Sequence, residues 1–114
     1  MGKVRLPEKA KLFFAILFSD EAVYESVLKD LTEKFGEIDK ESLFFRFDQT
    51  HYYEKEMGRG LYKRFVIAKE LIDKAELSQI KLYTNSIEER YAGENGCRKV
   101  NIDPGYLTQS KLVY

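Results

Sequence analysis

This chain of 114 residues has one cysteine, one histidine, two prolines and no net charge, 19 basic side chains facing 19 acidic ones. Each shortage removes a class of function. A lone Cys97 cannot close an internal disulfide, which fits a reducing cytoplasm. It lies next to Arg98 and Lys99, but strand alternation brings only one of them onto its face, which is a poor setting for an activated thiol. One histidine excludes a His-rich metal centre. Charge balance removes the field that draws a protein onto a polyanion or an acidic lipid surface, and so argues against nucleic-acid binding.

Long apolar runs are also missing. The longest, residues 12–18 (LFFAILF), follows Lys3, Arg5, Lys9 and Lys11 and so imitates a secretory signal. It is too short to span a membrane, and Ser19-Asp20-Glu21 offers no small-x-small cleavage site. Gly2 opens no myristoylation motif, because Leu6 stands where a hydroxyl residue belongs. The phosphate loop G-x-x-x-x-G-K-[ST] and the G-x-S-x-G elbow are both absent, and Gly58-Arg59-Gly60 is too short for a dinucleotide fingerprint.

What is present reads as one domain, residues 1–114, long enough to bury roughly 65% of its unfolded surface. The run 12–18 suits an interior strand, paired on both sides. Ser19 or Asp20 then caps a helix whose apolar positions Val23, Val27, Leu28, Leu31 and Phe35 recur at helical spacing, and Gly36 stops it. Residues 43–47 read as strand two, 65–68 as strand three, and Asp73-Lys74-Ala75-Glu76 as a capping box. The helix it opens carries Leu77, Ile80, Thr84, Ile87 and Tyr91 on one stripe, puts Glu88 and Glu89 toward solvent, and ends at Gly93. Asn95-Gly96 signals a hairpin turn into strand four, residues 98–102. The order β-α-β-β-α-β predicts an α+β ferredoxin-like sandwich, against a rival small α/β sheet in which the loop after Asp48 replaces a strand or adds a helix. Residues 107–114 are still apolar and patterned, which predicts a third helix whose remainder lies beyond Tyr114, with Leu107, Leu112 and Val113 incompletely covered.

Two segments carry the chemistry. In residues 100–106 (VNIDPGY) a β-branched run meets Pro104 and Gly105, a pair that suits a type II turn with Gly105 at positive φ. Asn101 and Asp103, two apart, then share one strand face, pointing away from the core, and Asp103 is held at a strand end. Capping of the following segment is the structural alternative for Asp103. Residues 48–60 (DQTHYYEKEMGRG) form a long polar-aromatic loop in which Asp48, His51, Glu54 and Glu56 are of metal-ligating type, although no metal signature is present. Tyr52, Tyr53 and Tyr106 fall in turns and suit ligand stacking, while Asn85 is a polar residue in mid-helix that suggests a specific hydrogen bond. No recognised catalytic or cofactor motif is present, so the sequence leaves the cofactor unassigned.

The segments Phe47-Asp48, Tyr52-Tyr53-Glu54-Lys55-Glu56-Met57-Gly58, Lys81-Leu82 with Thr84-Asn85, and Asn101-Ile102-Asp103-Pro104-Gly105-Tyr106-Leu107 together resemble domain of unknown function 4416. The resemblance runs over nearly the whole chain. It implies a small bacterial or archaeal protein, sometimes labelled GTP-binding, whose relatives continue past the equivalent of Tyr114 into strand-like sequence. It also implies a shared polar site at Tyr53, Glu54, Glu56, Asn85, Asn101, Asp103 and Tyr106. The expectation is a cytoplasmic small-molecule-binding module or small enzyme whose site joins the loop 48–58 to the turn 101–106. The alternative is an interaction module acting through the loop 48–60 on a partner or on a second copy of the chain.

Overall fold

The computed structural model describes residues 9–42, 45–46, 61–93, 98–107 and 112–113. Its centre is β1 (Lys9–Phe18), whose apolar run can be buried only if both of its backbone edges are satisfied. They are. One edge pairs antiparallel with β4 (Tyr62–Asp73), from Lys9 opposite Asp73 to Phe18 opposite Tyr62. The other pairs antiparallel with β5 (Val100–Leu107), from Lys11 opposite Leu107 to Phe18 opposite Val100.

β4 carries β2 (Ile38–Glu41) and β3 (Phe45–Arg46) on its far side, and β5 carries β6 (Leu112–Val113), giving the order β2-β4-β1-β5-β6 with β3 also on β4. Over the described residues the fold is therefore mixed α/β, a four-strand antiparallel core extended by two short strands and backed by two helices. Its strand order is not that of an unadorned ferredoxin-like sheet, because β3 shares one edge with β2 and β6 adds beyond β5.

Helix α1 (Glu21–Phe35) starts where Asp20 accepts a hydrogen bond from the Ala22 amide at 2.8 Å and stops at Gly36, φ 88°, whose N–H reaches the Thr32 carbonyl. Helix α2 (Leu77–Arg90) follows a short 3₁₀ turn, Lys74–Glu76, in which Asp73 accepts from the Ala75 amide. Both helices lie on one face of the sheet. Leu12, Phe14, Ile16 and Phe18 meet Tyr24, Val27 and Leu31 of α1 and Ile80 and Ile87 of α2 there, with Val66, Ala68, Val100 and Ile102 from the flanking strands. Phe18 and Tyr24 stack at 4.6 Å between ring centroids. The alternate residues of β1, namely Phe13, Ala15 and Leu17, are buried as well, so β1 is covered on both faces.

The bulge that shifts the β1–β4 register between Lys11 and Phe13 leaves backbone groups of Lys69 outside the β1 ladder. The Lys69 amide donates to the Glu37 carbonyl and the Lys69 carbonyl accepts from the Lys11 ammonium, at 2.9 and 3.2 Å.

Several sequence expectations are corrected. Residues 103–106 are not a turn: β5 runs through Pro104 to Leu107, and Gly36 is the one described glycine with positive φ. Proline is tolerated because of where its nitrogen points. In an antiparallel strand the N–H and C=O of one residue face the same side, and those of Ile102 are taken by α2 side chains, not by β1. Pro104, two residues on, faces that same outer side, where no ladder bond is lost.

Leu107 and residues 112–113 form the β5–β6 pair and not a third helix, because Tyr106 and Leu107 offer β6 an outer edge to bond. Within the expected strand two, Phe45 and Arg46 form β3 while Leu43, Phe44 and Phe47 lie outside the described residues, and β2 lies upstream. Strand three is longer than residues 65–68, strand four starts at Val100, and α2 ends at Arg90, not Gly93. Asn95, Gly96 and Cys97 lie outside the described residues. Among those described, no helix is long and apolar enough to cross a membrane.

Candidate functional site

The outer edge of β5 is where sequence and structure place polar groups together. Strand alternation sends Val100 and Ile102 into the core and Asn101 and Asp103 to the opposite face. The two polar residues are joined, the Asn101 amide Nδ2 donating to Asp103 Oδ2 at 3.0 Å. Asn101 is only 7% exposed, and its own oxygen accepts from the Arg98 guanidinium at 2.9 Å, so its side chain bridges a cation to a carboxylate.

Helix α2 supplies the other half. Ser78, Lys81, Asn85 and Glu88 recur at three- and four-residue intervals and so form one stripe, flanking the apolar one. The Lys81 ammonium donates to the Ile102 carbonyl at 3.1 Å and to Asp103 Oδ1 at 3.3 Å. Glu88, 5% exposed, accepts from the Ile102 amide at 2.6 Å. Two helix side chains thus satisfy the outward backbone groups of one residue in β5, as a neighbouring strand would. Burial pushes the Glu88 carboxyl above its ordinary value, opposed by the Ile102 amide and by the charges of Lys81 and Arg98.

Between the start of α2 and β5 lies a groove of about 570 Å³ lined by Leu77, Ser78, Lys81, Asp103 and Pro104. Its volume falls within the range of small-molecule sites, and its mixture of apolar wall with a few polar groups is of the same kind. The Lys81 and Asp103 side chains are 42% and 44% exposed, so their pair is reachable by a ligand.

The expected site residues separate into three groups. Asn101 and Asp103 share a face and a hydrogen bond, as the strand period requires. The bonds of Asp103 run to Asn101 and Lys81 and the residues after it are strand, which rules out the helix-cap alternative. Asn85, half-buried, stands on the stripe between Lys81 and Glu88 but makes no hydrogen bond within this network. Tyr106 is also half-buried, with the Lys74 ammonium 5.4 Å from its ring centroid, outside the groove lining. Tyr52, Tyr53, Glu54 and Glu56, with Asp48 and His51, lie outside the described residues. Among the described residues no three His, Cys, Asp or Glu side chains gather as for a metal.

Sequence reasoning missed Lys81 and misplaced Glu88, which is buried and not solvated. The signal was available. Positions 77, 81, 84, 88 and 91 form as good a helical stripe as 77, 80, 84, 87 and 91, so the buried face is wider than its apolar members.

The chain belongs to the family described as Domain of unknown function (DUF4416), whose model matches residues 8–114. No curated protein and no solved structure matches it.

Proposed function

We propose that this protein is a small-molecule-binding module whose site is the groove between the start of α2 and the outer edge of β5. The observation that carries the reading is the Lys81–Asp103 pair in the groove wall. It is half-exposed, yet each partner is fixed by a second bond, Lys81 to the Ile102 carbonyl and Asp103 to Asn101. A surface pair with no task contributes little to stability and has no need of such anchoring. Preorganised polar groups beside apolar walls are what a binding site requires. In this reading Asn101 orients Asp103, Glu88 holds the strand that carries it, and the loop 48–58 with Tyr52, Tyr53, Glu54 and Glu56, together with Tyr106 and Asn85, completes the site.

The same reading takes the fold as a ferredoxin-like sandwich with additions. Support comes from the core order β2-β4-β1-β5 and from a helix in each of the connections β1 to β2 and β4 to β5. A reducing cytoplasm as the module's compartment draws its support from the single cysteine, which cannot close an internal disulfide.

The test is untargeted mass spectrometry of molecules retained by the purified protein and by Asp103→Ala, with size-exclusion chromatography of both. The reading expects a retained molecule that the variant loses at unchanged oligomeric state. Retention of the same molecule by the variant refutes it, and dissociation of a complex by the variant would transfer the loop and this edge to a protein-interaction role.

A further inference from the structure

Resting on that reading, we infer that the groove takes uncharged planar molecules bearing an amide-type edge, a carbonyl acceptor beside an N–H donor. An ammonium has three N–H donors, and two of those on Lys81 go to the Ile102 carbonyl and to Asp103. The third has no partner among the described residues. A carboxylate offers about four lone-pair positions, and on Asp103 the described partners are Lys81 at Oδ1 and Asn101 at Oδ2. One donor and further acceptor capacity are therefore presented side by side, on atoms 3.3 Å apart.

Charge selects among ligands that could use them. Lys81 and Asp103 sum to zero, so an anion brought to the ammonium meets the carboxylate at nearly the same distance, and a cation brought to the carboxylate meets the ammonium. Neither gains net attraction, and either loses hydration on entering a partly apolar groove. A neutral amide edge escapes that conflict: its carbonyl accepts from Lys81, its N–H donates to Asp103, and the ion pair stays intact. Leu77 and Pro104 supply apolar surface in the same lining, which suits the faces of a flat ring.

Benzamide, benzoate and benzamidine test this with one ring and three charges. Each is titrated into ¹⁵N-labelled protein while the amide signals of residues 77–81, 102, 103 and 105 are followed. Benzamide should shift these signals saturably and bind about three- to tenfold more tightly than either charged probe, the scale of one hydrogen bond made or lost. Asp103→Asn, which leaves the ammonium uncompensated, should move the preference to benzoate, and Lys81→Met should move it to benzamidine. Unchanged dispersion of the remaining signals shows that each variant is folded.

Tighter binding of benzoate or benzamidine to the unaltered protein overturns the ligand class and leaves the groove as a site. An unchanged preference in both variants overturns the role of the pair. Failure of all three probes to shift the groove signals overturns the ligand class and removes the groove from the proposed function as well.

Discussion

Replacing Glu88 with alanine isolates the contact on which the outer edge of β5 depends. The Ile102 amide gives its hydrogen to the Glu88 carboxylate at 2.6 Å, and Glu88 is almost wholly buried. With alanine at position 88 that N–H remains beneath the helix without an acceptor, a loss of about 1–3 kcal/mol. A domain of this size has a urea m-value of roughly 1–3 kcal/mol/M, so the unfolding midpoint should fall by about 1 M. Hydrogen exchange gives a site-resolved check: the Ile102 amide should exchange faster in Glu88→Ala, while amides at the centre of β1 change only with global stability. Glu88→Gln keeps an acceptor and should recover most of the loss at neutral pH.

The sign of the pH dependence follows from the upward shift of the Glu88 carboxyl, caused first by burial. The native state then holds this proton more tightly than the unfolded chain does. The stability so contributed is complete below the ordinary glutamate range and is lost as pH rises through the folded-state value. Glu88→Gln should therefore gain on the unaltered protein as pH rises through that window, and the difference should level off above it. A Glu88→Ala midpoint within about 0.2 M of the unaltered protein's, with Ile102 exchange unchanged, would show that water replaces the carboxylate and refute the reasoning.

Three further outcomes follow from the packing. Gly36→Ala should lose about 1–3 kcal/mol in urea unfolding, because φ 88° with ψ −169° is open essentially to glycine alone, while an added Cβ would meet Glu70 at no closer than 3.5 Å. Leu31→Ala, at a fully buried position of α1, should lose about 2–5 kcal/mol by the same assay. Tyr24→Phe removes the phenol bond to Glu41 at 2.7 Å and should lose about 1 kcal/mol at neutral pH. Burial and that bond raise the Tyr24 phenol, so its contribution is present below the ordinary tyrosine range and is lost as pH rises through the folded value. Tyr24→Phe should flatten that alkaline loss of stability.

The parts of the fold legible in the sequence were those where one strong local signal decides. Residues 12–18 are apolar on both faces and could only be interior. Asp20 and Gly36 bracket α1 with side-chain and backbone chemistry that needs no tertiary partner. β2 is the opposite case. Its residues Ile-Asp-Lys-Glu leave only Ile38 partly buried, so no alternation marks it, and it exists because β4 offers it an edge. β4 itself outruns its apolar centre because Lys63 and Arg64 take strand conformation opposite Leu17 and Ile16 of β1 despite their polarity.

The candidate site was legible in half. A two-residue period suffices to put Asn101 and Asp103 on one face, and they are bonded. Lys81 and Glu88 escaped because the helical stripe they share marks only a buried face; that they answer the outward N–H and C=O of Ile102 depends on where β5 lies. Pro104 was misread for the same cause. The expectation of a turn assumes that a strand needs its donors on both sides, whereas the outer side of β5 bonds to side chains at Ile102, needs no donor at Pro104 and pairs with β6 from Tyr106. The edge is closed residue by residue by three different devices, and the second of them puts an apolar ring where a ladder bond would otherwise be sought. That ring is also part of the groove wall. Asp103 stands between the closed backbone and the groove, so the requirement to protect a sheet edge and the presence of a fixed carboxylate beside apolar surface have one structural origin.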